Sequence, residues 1–155
     1  MTAVAERTVG SSLITPALFD RLARRIAKDA NLPTELADRI LDQALAFLGA
    51  CARDHNNPLA PTELVDIGWH TFVLYTHDYA EFCRQIAGRF IHHTPTDEND
   101  PTASGAAARA TVARTVTAIE AAGFIVDHEL WSLGSVAACT GCHNGCHDDP
   151  PPARQ

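Results

Sequence analysis

The sequence predicts an all-α protein, a compact bundle of about five helices followed by an irregular C-terminal tail rich in Cys and His. Three observations carry that expectation. Apolar residues recur at three- and four-residue spacing in successive segments. Helix start and stop signals separate those segments. No stretch sustains the alternation of a strand; the one rival, "FIVDHELW" at 124–131, is too short to make a sheet alone. A chain of 155 residues defaults to one domain and buries a core without staples. The expected division is a flexible leader over 1–14, a helical domain over 15–133 and a Cys/His-rich tail over 134–155.

After the leader, Thr15 stands as an N-cap with Pro16 at the first helical position. Leu18, Phe19, Leu22 and Ile26 then share one face. Pro33 and the residue before it resist helix and end this segment. Thr34 is the expected cap of a second helix, with Leu36, Ile40, Ala44, Phe47, Leu48 and Cys51 as its inner stripe. "RDHNNP" breaks it. Pro61 and Thr62 start a third helix that runs to about Tyr75. Thr76 caps a fourth, "HDYAEFCRQIAG", which Gly88 closes. "FIHHTPTDENDPTASG" is a polar connector. A fifth helix, at 105–122, carries Val112, Val116 and Ile119 and stops at Gly123.

Charge and motifs exclude several function classes. The net charge is −7, from 12 basic and 19 acidic residues, and the densest basic cluster is Arg21, Arg24, Arg25 and Lys28 on one helix. That argues against a nucleic-acid partner. No apolar run is long enough to span a membrane. The first residues, "MTAVAERTVGSSLITP", lack the positive and apolar regions of a secretory signal, so the expected compartment is cytoplasmic. There is no G-x-x-x-x-G-K or G-x-G-x-x-G phosphate loop and no G-x-S-x-G nucleophile elbow.

The chemistry concentrates in "VDIGWHTFVLYTHDYAEFC", residues 65–83, and in the "IHH" that follows. Asp66 and His70 are four apart and share a helix face, as do Tyr79 and Cys83. His77 lies at the start of the fourth helix. That helix, of about eleven residues, is roughly 16 Å long, so His92 and His93 leave from its far end, nearer Asp66. The geometry therefore favours Asp66 and His70 with His92 or His93 over a set containing His77. A carboxylate with two imidazoles suits a transition metal such as Zn, Fe or Cu. Tyr79 or Tyr75 would be a nearby proton donor, and Cys83 a reserve ligand or a packed thiol. The competing reading is a polar core whose groups satisfy one another.

The tail offers a second candidate. "CTGCHNGCH" places Cys139, Cys142 and Cys146 at C-x2-C-x3-C spacing, with His143 and His147 beside two of the thiols. Thiolates select Zn, Cu(I) or Fe–S, and three Cys with one His complete a tetrahedral Zn site. "CTGCH" also fits the c-type haem motif, but that attachment needs export and the only Met is the first residue.

The middle of the chain resembles the glycine-rich domain-containing proteins, a plant family with small bacterial relatives. The residues that carry this are Val65, Asp66, Trp69, His70, Tyr79, Phe82, Cys83, Gly88, Ile91, His92, His93 and Pro95, with "LW" at 130–131 before the Cys/Gly tail. The resemblance spans roughly residues 16–147. It implies an α-helical fold and no particular reaction. Many members read W-H-x-H, whereas Phe72 stands here in place of the second His.

Three functions compete on these residues. One is a small metal-dependent enzyme acting on a small-molecule or peptide substrate through the Asp/His site. Another is a metal-handling or metal-sensing protein using the tail. The third is a helical interaction module without chemistry.

Overall fold

The computed structural model describes residues 5–54, 56–94 and 105–132. Among the described residues there are five α-helices: α1 (Pro16–Asp29), α2 (Thr34–Arg53), α3 (Glu63–Leu74), α4 (Thr76–Ala87) and α5 (Gly105–Ala121). Among the described residues there is no strand, only an isolated bridge between Thr8 and Phe124. Thr15 and Thr62 cap α1 and α3, accepting from the backbone N–H of Leu18 and Val65. Thr34 and Thr76, expected as caps, are instead the first residues of α2 and α4. Pro33 and Tyr75 hold the cap positions.

α2 is the axis of the bundle. It packs against α1, α3, α4 and α5. Every residue from Gln43 to Cys51 is buried, so its second half is covered on all sides rather than along one stripe, as a helix apolar all round should be. α3 crosses α2 at Gly68. A Cβ there would lie 2.9 Å from the Ala44 Cβ and 3.2 Å from Ile40, so glycine is what permits this approach. The crossing sets the depth at which Asp66 and His70 sit on either side of it.

α3 and α4 fold back on each other around Tyr75. Phe72 meets Tyr79 and Phe82 with ring centroids 5.2 and 5.0 Å apart. Gly88 then takes the left-handed conformation (φ 68°) that ends α4 and reverses the chain. Phe90 packs edge-on against Tyr79 and Ile91 is buried.

Two segments outside the helices are also fixed. Within the stretch expected as a flexible leader, Gly10–Leu13 form a 3-10 turn. Ser11 N–H donates to Asp42 Oδ1 at 2.8 Å, and Thr8 N–H donates to the Gly123 carbonyl at 2.9 Å. At the other end, buried Gln43 clamps residues 125–131 to α2. Its Nε2 donates to the Ile125 carbonyl, and its Oε1 accepts from Asp127 N–H and from Trp131 Nε1. No helix among the described residues is long and apolar enough to cross a membrane. The tail, with Cys139, Cys142, His143, Cys146 and His147, and Pro95 in the connector lie outside the described residues.

Candidate metal centre

Asp66, His70 and His93 come together. Each offers a donor atom, and the three atoms all lie within 4.8 Å of one another. Asp66 is in the first turn of α3, where the helix dipole favours a carboxylate. His70 follows one turn later on the same face. His93 arrives from the segment beyond Gly88. The His70 Nε2 is 2.8 Å from Asp66 Oδ2, and the His93 Nε2 is 3.0 Å from Asp66 Oδ1. The two imidazole rings meet nearly edge to face with centroids 4.0 Å apart. Two imidazole nitrogens and a carboxylate thus converge from two separate chain segments.

The three differ in exposure. The side chains of Asp66 and His93 are 11% and 9% exposed, while that of His70 is 59% exposed. One side of the site is therefore closed by protein and the other open. Burial works to raise the Asp66 pKa, but hydrogen bonds from His70 and His93 outweigh it and hold the carboxyl below its ordinary value. The His70 pKa is raised, chiefly by its hydrogen bond to Asp66.

Behind His93 stands an aromatic support. The Trp69 ring lies 4.3 Å from the His93 ring, centroid to centroid. The Trp69 Nε1 donates to the Tyr79 hydroxyl at 2.9 Å, and that hydroxyl donates to the Ile91 carbonyl at 2.5 Å. Ile91 is two residues before His93, so this relay fixes the strip of backbone that carries the imidazole. Tyr79 is fully buried and its phenol is pushed well above its ordinary value, chiefly by burial. Cys83, also buried, has its thiol pushed up for the same leading reason. The His92 ring faces Phe90 at 4.8 Å and lies outside the group. His77 is exposed at the start of α4. Tyr75 stacks beneath Arg21.

In front of the site is a cleft of about 380 Å³ between α1 and α3. Ile26, Asp29 and Ala30 line it from α1; Glu63, Asp66, Ile67, His70 and Thr71 line it from α3. The part played by α1 was not anticipated. Its signal in the sequence is only that Ile26, Asp29 and Ala30 share a helix face, which nothing local ties to Asp66.

The model of the UCP032817-like family matches residues 6–114, well over half of the chain. The chain belongs to the UCP032817-like family. This corrects the resemblance to the glycine-rich domain-containing proteins. The positions that carried it, from Val65 and Asp66 to His93 and Pro95, are short motifs each common by itself, and Phe72 already broke the W-H-x-H pattern. The family match takes in α1–α4 and all of Asp66, His70 and His93. No curated protein and no solved structure matches the chain. The family name states no activity, so function has to be argued from the site.

Proposed function

We propose that this protein binds one transition metal ion, Zn, Fe or Cu, through Asp66, His70 and His93, and acts as a small metal-dependent enzyme on a molecule held in the α1/α3 cleft. The observation that carries this reading is the convergence of three donor atoms within 4.8 Å at the edge of a cleft. Two imidazoles and one carboxylate are a donor set such metals accept, and three protein ligands leave positions open for water or substrate. A bound ion of this kind polarises a substrate oxygen or lowers the pKa of its water.

The chain's own residues divide the remaining work. Asp66 supplies charge, and its hydrogen bonds from His70 and His93 favour the ionised carboxylate against its burial. His93, nearly buried, is the fixed ligand; His70, on the open side, is the one that adjusts. Tyr79, whose hydroxyl is committed to Ile91 and Trp69, is a positioning residue for His93 in this reading rather than a proton donor.

The alternative, capture of metal by Cys139, Cys142 and Cys146 with His143 or His147, makes a different prediction. The full chain is loaded with Co(II) or Zn under reducing conditions and its metal content and Co(II) absorption are measured. Asp66→Asn and His93→Ala should each lose the bound equivalent, while a Cys139/Cys142/Cys146→Ser triple variant keeps it. Loss in the cysteine variant with retention in the other two would move the site to the tail. Binding should release protons and weaken as pH falls, because the imidazoles must be neutral to bind.

A further inference from the structure

The lining of the cleft says something about what it takes. Besides the candidate ligands, it presents two more carboxylates, Asp29 and Glu63, and among the described residues no Lys or Arg. Asp29 is already paired with Arg25 one turn back on α1. Glu63, in the first turn of α3, is exposed. No basic side chain pairs with it among the described residues. The apolar part of the lining is Ile26 and Ile67, one on each wall. On α3, Glu63, Asp66, Ile67 and His70 fall at i, i+3, i+4 and i+7, so a molecule lying along the helix meets them in that order.

The cleft volume, about 380 Å³, suits a small organic molecule rather than a polypeptide segment. A second anionic group on such a molecule, beyond the oxygen that reaches the metal, would sit beside Glu63, where no Lys or Arg of the described lining receives it, and like charges in a partly closed site repel. An ammonium would find a partner. We infer that the cleft takes a small cationic organic molecule: a metal-binding oxygen at Asp66, His70 and His93, a short apolar body between Ile26 and Ile67, and an amine toward Glu63. This rests on the metal reading above and adds the charge class of the substrate. It disfavours substrates that carry a further anionic group away from the metal-binding oxygen, such as dicarboxylates, because that group would lie beside Glu63.

Three hydroxamates of similar length serve as probes, because each chelates a metal through the same group: butyrohydroxamic acid (neutral), 4-aminobutyrohydroxamic acid (ammonium) and succinic acid monohydroxamate (carboxylate). Their affinities for the Co(II)-loaded full chain are read from the change in the Co(II) absorption. The same titrations are run on Glu63→Gln, which lies on the surface and leaves all three proposed ligands in place. In the unaltered protein the ammonium probe should bind about three- to fivefold tighter, relative to the neutral one, than it does in Glu63→Gln. The carboxylate probe should bind most weakly and gain from the substitution. Comparing the two proteins cancels each probe's own affinity for cobalt. If the ratios are the same in both proteins, or if the carboxylate probe binds best, the charge assignment is overturned while the metal site stands. If the chain holds no Co(II) at all, the metal reading falls and this inference with it.

Discussion

At the scale of single residues, the site depends on a phenol that never reaches it. Tyr79→Phe removes one oxygen, yet it strands two buried groups at once: the Trp69 indole N–H loses its acceptor and the Ile91 carbonyl its donor. Each stranded buried group costs about 1–3 kcal/mol. The expected outcome is a variant destabilised in urea by at least about 1 kcal/mol that also binds Co(II) more weakly, because Ile91 is two residues from His93. A variant with lost stability but undiminished metal affinity would show that the relay holds the fold and not the ligand. The pairing of Asp66 with His70 was legible because four-residue spacing on a helix fixes a shared face. The choice of His93 over His92 was not. It turns on the direction the backbone takes after Gly88, and that is decided by Phe90 on Tyr79 and by the Tyr79–Ile91 bond, contacts that no local pattern encodes.

At the scale of elements, α1–α5 were readable because their boundaries are written in local chemistry: Thr15 with Pro16, Pro33, Thr62, Gly88 and Gly123. The ends of the domain were not. The 3-10 turn at Gly10–Leu13 and the segment 124–131 are each held by bonds to α2, Thr8 before the turn accepts from Ile125 N–H, and their residues lack any period. Asp127 illustrates how the second of these is anchored. Arg39 forks onto its carboxylate at 2.7 and 3.0 Å and also reaches Glu129 at 2.8 Å. Arg39 holds the Asp127 carboxyl below its ordinary value of 3.8. A carboxyl whose pKa is depressed by folding contributes stability that is present above its unfolded pKa and is lost as pH falls through the folded one. Asp127→Asn should therefore lower stability at pH 7, and the gap between variant and parent should narrow as pH falls below 3.8. Urea titrations at pH 7, 4 and 3 read this directly. A gap that stays constant across them would mean that the neutral hydrogen bonds, and not the charge, do the holding.

At the scale of the whole molecule, the candidate centre joins directly two parts of the chain that are otherwise linked through the Trp69–Tyr79–Ile91 relay and through packing: α3, seated on α2 at Gly68, and the strip after Gly88. In the absence of metal, the two imidazoles satisfy Asp66 by themselves, so the arrangement persists and metal has only to displace protons from it. On the proposed reading, metal binding is then a term in global stability. A ligand that binds only the folded chain adds about 2.7 kcal/mol at one hundred times its Kd. For a domain of this size that is a rise in Tm of about 5–10 °C. The rise should grow with the logarithm of metal concentration. It should disappear in His93→Ala, which takes away the ligand on the second segment, and persist in the Cys139/Cys142/Cys146→Ser variant. A calorimetric series of Zn concentrations on the three proteins makes the comparison. If the cysteine variant loses the shift and His93→Ala keeps it, the metal is held by the tail, and Asp66, His70 and His93 are a polar cluster whose members satisfy one another.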